Sequence, residues 1–185
     1  MTTNIAFRDA VQSDSDFLHE VYYSTRQNEM DLMGWGADDA GPFLKMQFDF
    51  QDRHYRSMFP DACRLIIMMD GEKAGRIIIE RNDGFIRIVL LEFLPEFQKK
   101  GCGSFILKCF QAEAAGRNIS VCFNVAVDNV RGQKLFKSLG FYETGTDDAY
   151  YFMEWKKVKD FEVNFQNSFL HNGYSIRSGE GLRIN

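Results

Sequence analysis

The chain has 185 residues, 45% of them hydrophobic, with 18 Phe and only 3 Pro, a balance that suits one packed domain plus a tail and argues against a disordered chain or a repeat array. A formal charge of -4 gives no overall pull toward nucleic acid, so any anion the protein binds must be held by a local arrangement. No stretch approaches the about 20 apolar residues of a membrane span, and the N-terminus carries neither a basic leader nor an apolar segment, so the expectation is a cytoplasmic protein with no membrane or nucleic-acid partner.

The first alternating run, "NIAFRDA" at 4 to 10, predicts a short strand, and Ser13 with Asp16 forms a capping-box pattern ahead of a helix carrying Phe17, Leu18, Val21 and Tyr22. Gly34, Gly36 and Gly41-Pro42 break the chain before a second helix resumes through Leu44, Phe48, Gln51 and Tyr55. Three strands follow, "RLIIMMD", "KAGRIIIER" and "FIRIVLLEFL", separated by the turn signals Asp70-Gly71 and Asn82-Asp83-Gly84. A helix over 104 to 115 carries Ile106, Cys109, Phe110 and Ala114 on one face and is expected to stop at Gly116. Then come the strand "ISVCFNVAV", a helix with Leu135, Phe136 and Leu139 on one face that is closed by Gly140, and two last strands near "FYETG" and "YYFMEWKKV". Antiparallel strands flanked by helices, with one strand-helix-strand crossover at 86 to 127, describe an α+β fold around a mixed, mostly antiparallel sheet of about seven strands.

Between the third of those strands and its helix lies "LPEFQKKGCGSF". A helix N-terminus presents unpaired N–H groups and a partial positive charge, Gly101 and Gly103 let the main chain approach a visitor closely, and Lys99 and Lys100 add mobile charge at the rim. The expected visitor is a phosphate-bearing ligand. It is not held by a Walker loop, because Gly103-Ser104-Phe105 lacks the Gly-Lys-Ser/Thr ending, nor by a dinucleotide fingerprint, whose third glycine is Ile106 here. Cys63, Cys102, Cys109 and Cys122 show neither CxxC spacing nor a paired His, so neither a metal site nor a redox pair is expected.

Gln98-x-x-Gly101-x-Gly103, following Leu91-x-Phe93-x-Pro95, resembles the acetyl-coenzyme A motif of the GNAT superfamily of N-acetyltransferases. Downstream, Asn129, Gly132, Leu135-Phe136 and Leu139-Gly140-Phe141 are similar to that family's "N..A..LYE.LGF" segment, and the resemblance spans roughly residues 4 to 157. It implies a cleft splayed between the strands at 86 to 94 and 119 to 127, with the coenzyme lying in it. The pantetheine amides would bond the backbone of Leu91 to Phe93, and the diphosphate would rest on N–H groups of Lys99, Lys100, Gly101, Cys102, Gly103 and Ser104. Gln98 belongs to the same motif, Asn129 would bond the pantetheine arm from the other side, and Phe136 would pack beside the thioester. The acetyl group would pass to a primary amine of a small-molecule or peptide acceptor, by direct attack in a ternary complex.

Two departures from the family pattern bear on the chemistry. Where many relatives carry the Tyr that protonates the leaving sulfur, this chain has Phe136, and where some carry a Glu on the strand after the crossover helix it has Asn124. Asn124 orients water but does not titrate, and Glu92 is the carboxylate within the cofactor strand, so these two are the catalytic candidates. His54, Tyr55, Tyr150, Tyr151, Met33 and Trp35 are further residues for the acceptor side or the core. A non-catalytic acyl-coenzyme A binder and a partner-binding module stand as alternatives. Residues 158 to 185 form an extension beyond a domain of residues 1 to 157. There Phe161, Val163 and Phe165 alternate like a strand, Asn172-Gly173 suits a hairpin turn, and the end is expected to be mobile. Such a strand is expected to pack on its own sheet, on a partner subunit in a homodimer, or over the acceptor cleft.

Overall fold

The computed structural model describes residues 3–32, 34, 37–157 and 174–177. The chain order is β1 (Thr3–Asp9), α1 (Ser15–Leu32), α2 (Ala37–Met58), β2 (Cys63–Met69), β3 (Glu72–Arg81), β4 (Phe85–Phe93), α3 (Cys102–Arg117), β5 (Ser120–Ala126), α4 (Val130–Ser138), β6 (Tyr142–Thr146), β7 (Tyr150–Lys156) and β8 (Tyr174–Arg177). The strands form one open sheet in the order β6-β7-β5-β4-β3-β2-β1-β8. Two neighbouring pairs are parallel: β4 with β5, joined through α3, and β1 with β8. The fold is thus the α+β, mostly antiparallel sheet the sequence predicts, with a short eighth strand. Phe161, Val163, Phe165 and Asn172-Gly173 lie outside the described residues.

Alternation sorts the side chains onto two faces. Leu65, Ile67, Ile77, Ile79, Ile86, Ile88, Val121 and Phe123 turn toward α3, where Phe105, Ile106, Phe110 and Ala114 meet them in the main core. Each fully buried side chain of this size contributes about 1.5–3 kcal/mol, so this layer fixes α3 firmly against β4 and β5. On the other face, Ile66 packs with Phe17 and Val21 of α1, while Tyr22, Leu44 and Phe48 join α1 to α2.

Three local expectations are corrected. The start of α1 is organised by Asp14 rather than by Ser13 with Asp16: the buried Asp14 carboxylate accepts from the Val11 N–H at 3.0 Å, and from Arg8 at 2.6 and 2.7 Å. Helix α2 begins at Ala37, so Pro42 sits inside the helix instead of before it. Helix α3 runs through Gly116 to Arg117, and Asn118 takes the left-handed cap (φ 56°) with its N–H bonded back to Ala114 and Ala115 carbonyls. Asn tolerates that conformation because its short polar side chain bonds locally.

Candidate active site

Strands β4 and β5 pair only through Phe85–Ser120, Ile86–Val121 and Arg87–Cys122, and then part. The cause is visible on the other side of β4. Ile79 faces Ile88 and Ile78 faces Leu90, so Val89 is an extra residue, a bulge that bends the strand away from its neighbour. Beyond Arg87 the outward peptide groups of β4 have no ladder partner, which leaves a wedge-shaped gap in the sheet.

At the wide end of this gap the chain leaves β4 and enters α3. The Gln98 side-chain amide donates to the Phe93 carbonyl at 2.8 Å, tying the loop to the strand end. Lys99 and Gly101 both have left-handed backbones, φ 59° and 85°, and at Gly101 only glycine takes this without strain. Helix α3 then starts at Cys102, with no side-chain cap and no acidic residue in its first turn. The N–H groups of Gly103 and Ser104 have no acceptor within the helix, and the helix's partial positive charge is not offset by the helix itself.

Gly103 is informative because the fold does not need it. A Cβ there would meet only the Phe93 ring at 3.7 Å, an ordinary contact, whereas glycine within a helix costs about 1 kcal/mol relative to Ala. The space above that position is part of a cleft of about 470 Å³, lined on one wall by Phe93, Phe97, Gln98, Lys99 and the residues 101–104, and on the other by Asn129, Arg131, Gly132 and Leu135. Lys100 stands at the rim with its ammonium 5.5 Å from the Phe97 ring centre.

The second wall is the start of α4. Asn129 caps that helix through its side-chain oxygen, which accepts from the Gly132 N–H at 2.9 Å. A Cβ at residue 132 would lie 2.6 Å from the Asn129 amide nitrogen, so the glycine and the asparagine require each other. With its oxygen already accepting the cap bond, Asn129 retains its NH₂ as a donor for the cleft. Phe136 lies edge-on to Phe123 at 4.6 Å in an aromatic group that includes Phe141. Arg131 and Phe97 were missed as cleft residues. Arg131 carries the sequence signal of a cation two residues after the motif asparagine, while Phe97 becomes visible only once the turn at Pro95–Phe97 folds back.

Glu92 lies on the opposite face, toward α1 and α2. The bulge at Val89 puts Leu91 and Phe93 on the α3 side and turns Glu92 away from it. Its carboxylate accepts from Arg76, its cross-strand partner, at 2.7 Å and has Arg26 at 3.6 Å, while Arg76 also donates to Gln51 on α2 at 3.1 Å. Arg26 stacks 3.6 Å from the Tyr22 ring centre. Across the gap, Asn124 is exposed on β5, beside Phe152 and Tyr150 of β7. Tyr55 is half-buried between α2 and this face, with Glu92, Tyr150, Arg76 and Arg26 all in its electrostatic surroundings. His54 is exposed, and Tyr151 packs against the main core. Met33 and Trp35 lie outside the described residues. Burial pushes the Cys109 thiol up to about 12, and raises that of Cys122 as well, so neither is a thiolate at neutral pH.

The sequence pattern of the Acetyltransferase (GNAT) family matches residues 25–141, well over half of the chain. No curated protein matches the sequence. Among solved structures, similarity extends to the PaiA N-acetyltransferase of Thermoplasma acidophilum in complex with coenzyme A, with a TM-score of 0.60 and 19% identity over 83% of this chain and 99% of that one. Ard1 of Thermoplasma volcanium gives 0.53 and 18% over 84% and 99%. A GNAT family acetyltransferase of Listeria monocytogenes gives 0.57 and 11% over 83% and 95%. At these identities the structures speak for the fold.

Proposed function

Because the chain belongs to the GNAT acetyltransferase family, we propose that it transfers an acetyl group from acetyl-coenzyme A to the primary amine of a small-molecule or peptide acceptor, by direct attack in a ternary complex. The observation that carries this reading is the wedge between β4 and β5 opening beside a helix start with no side-chain cap from its N-cap residue and no acidic residue in its first turn. The residues present fit the coenzyme. Gly103 supplies a cradle that a side chain would fill, Lys99, Lys100 and Arg131 supply positive charge, and β4 beyond Arg87 supplies a strand edge with no ladder partner on the β5 side.

In this reading the N–H groups of residues 99 to 104 hold the diphosphate, with Gly101 and Gly103 giving the close approach and Cys102, Ser104 and Gln98 shaping the loop. Leu91 and Phe93 hold the pantetheine arm by main-chain bonds, Asn129 donates its NH₂ from the other wall, and Phe136 lines the far side. The coenzyme supplies an acetyl group activated as a thioester. The chain's part is to fix that group against outward N–H groups of β4, which stabilise negative charge developing on the carbonyl oxygen. On the acceptor side, Asn124 orients the amine or a water beside it. Glu92, its two oxygens facing Arg76 and Arg26, holds the wall in place beside the acceptor.

The replacement of the family tyrosine by Phe136, half-buried in an aromatic group, supports a rival reading as a non-catalytic acyl-coenzyme A binder. Two measurements decide. Calorimetry with coenzyme A is expected to show binding, and its absence would remove both readings. Release of free thiol from acetyl-coenzyme A across a library of amines, amino acids, polyamines and peptide N-termini is expected for at least one acceptor, and none would leave the binder.

A further inference from the structure

We propose that the Tyr55 hydroxyl donates a hydrogen bond to the coenzyme sulfur as it departs, taking from α2 the place that Phe136 cannot fill. The inference rests on the acetyltransferase reading above. Its geometry comes from two fixed points, one on α2 and one just past its end. At one, Arg76, whose partner is Glu92 near the end of β4, donates to the Gln51 side-chain oxygen at 3.1 Å. At the other, Phe59 lies 5.7 Å from the guanidinium of Arg87, the last β4 residue with a β5 partner. Tyr55 is on the same helical face, one turn from each, so it stands over the stretch of β4 between Arg87 and Glu92, where the bulge occurs and the gap opens.

Electrostatics agrees with this placement. The groups that face the phenol are Glu92 on β4, Tyr150 on β7, Arg76 on β3 and Arg26 on α1, so it senses both sides of the gap. Among the described residues no hydrogen-bond partner takes its hydroxyl, and it is half-buried rather than sealed in the core. Burial, then Glu92, raises its pKa above the ordinary tyrosine value, so at neutral pH it is a donor.

That same fact decides what it can do. A thiol of pKa about 8.5 is a stronger acid than this phenol, so Tyr55 does not surrender its proton. The N–C bond forms and the C–S bond breaks, with the electron pair of the latter going to sulfur. Tyr55 bonds the nascent thiolate. The surplus proton of the amine passes to solvent, and the thiolate takes one from solvent on release, so the sum is amide plus thiol.

The test compares the wild type with Tyr55→Phe in three readouts: kcat for thiol release, calorimetric affinity for coenzyme A, and the pKa of the bound coenzyme's thiol, followed by thiolate ultraviolet absorbance. A charge-assisted bond to sulfur predicts a kcat lower by about 10- to 100-fold, affinity within about twofold, and a bound-thiol pKa higher by about one unit in the variant. Turnover within threefold of wild type, an unchanged thiol pKa, or a parallel loss of affinity would each overturn the proposal. Should Tyr55→Phe melt at a lower temperature, 3,5-difluorotyrosine at 55, which keeps the shape and strengthens the donor, is expected to lower the bound-thiol pKa, and no change would count against it. A wild type that binds coenzyme A yet acetylates nothing would refute the enzyme reading, while the thiol pKa comparison would still judge Tyr55.

Discussion

Replacing Gly103 by Asp separates what the fold needs from what a ligand needs. The new Cβ meets only the Phe93 ring, at 3.7 Å, so no strain is expected. Leaving glycine recovers about 0.3 kcal/mol of helix propensity, and a carboxylate in a first turn that has none adds about 0.5 kcal/mol through the helix dipole. The melting temperature should therefore stay level or rise by about 2 °C. For a diphosphate at the same amides the change is severe. One like-charge pair at about 5 Å and an effective dielectric constant of about 20 costs about 3 kcal/mol, or at least about a hundredfold in affinity. Thermal denaturation and calorimetry with coenzyme A, both at physiological salt, read the two effects independently. Affinity within threefold of wild type would mean that no phosphate sits on this helix, and the placement of the coenzyme would fail with it.

Three further outcomes follow from other parts of the molecule. Arg131→Ala should weaken coenzyme A binding by roughly three- to tenfold, less so at high salt, with no change in melting temperature, because an exposed cation is lost from the cleft wall. Gly75→Ala should destabilise the protein by about 2–3 kcal/mol in urea unfolding, since its Cβ would run into the Glu92 carbonyl oxygen and come 2.9 Å from the Phe93 Cα. Arg8, then Lys73 and the Val11 N–H, hold the Asp14 carboxyl well below the usual carboxylate range. A depressed folded pKa contributes stability above the unfolded value, so the melting temperature should drop as pH falls through about 4 and below. Asp14→Asn should flatten that decline and cost about 3 kcal/mol at neutral pH.

Much of this was legible in the residues. Turn pairs such as Asp70-Gly71 separate apolar, Ile-rich runs, and the glycines at 101 and 103 stand where a strand meets a helix, so both the sheet and the loop before α3 follow from short-range rules. The direction of Glu92 does not. Simple alternation from Ile86 and Ile88 would group it with the core face, and the single extra residue at Val89 reverses the count. A bulge is decided by pairing across strands, which no local pattern encodes. Helix ends show the same limit: Gly116 has the composition of a stop, but the chain continues because Ile119 can then bury beside Ala114. The role proposed for Tyr55 is not readable from local pattern for a related reason, since it depends on where α2 lies relative to a gap opened by strands more than thirty residues later.

The parallel pairing of β8 with β1 bears on how this protein should be handled. A sheet's outermost strand displays a row of unused amides and carbonyls that other chains can zip onto, and β8 occupies that row on one side. Trimming the chain after Lys157 for expression or crystallisation would strip off this guard, and insolubility of the shortened form would then report a bared β1 rather than a damaged catalytic domain.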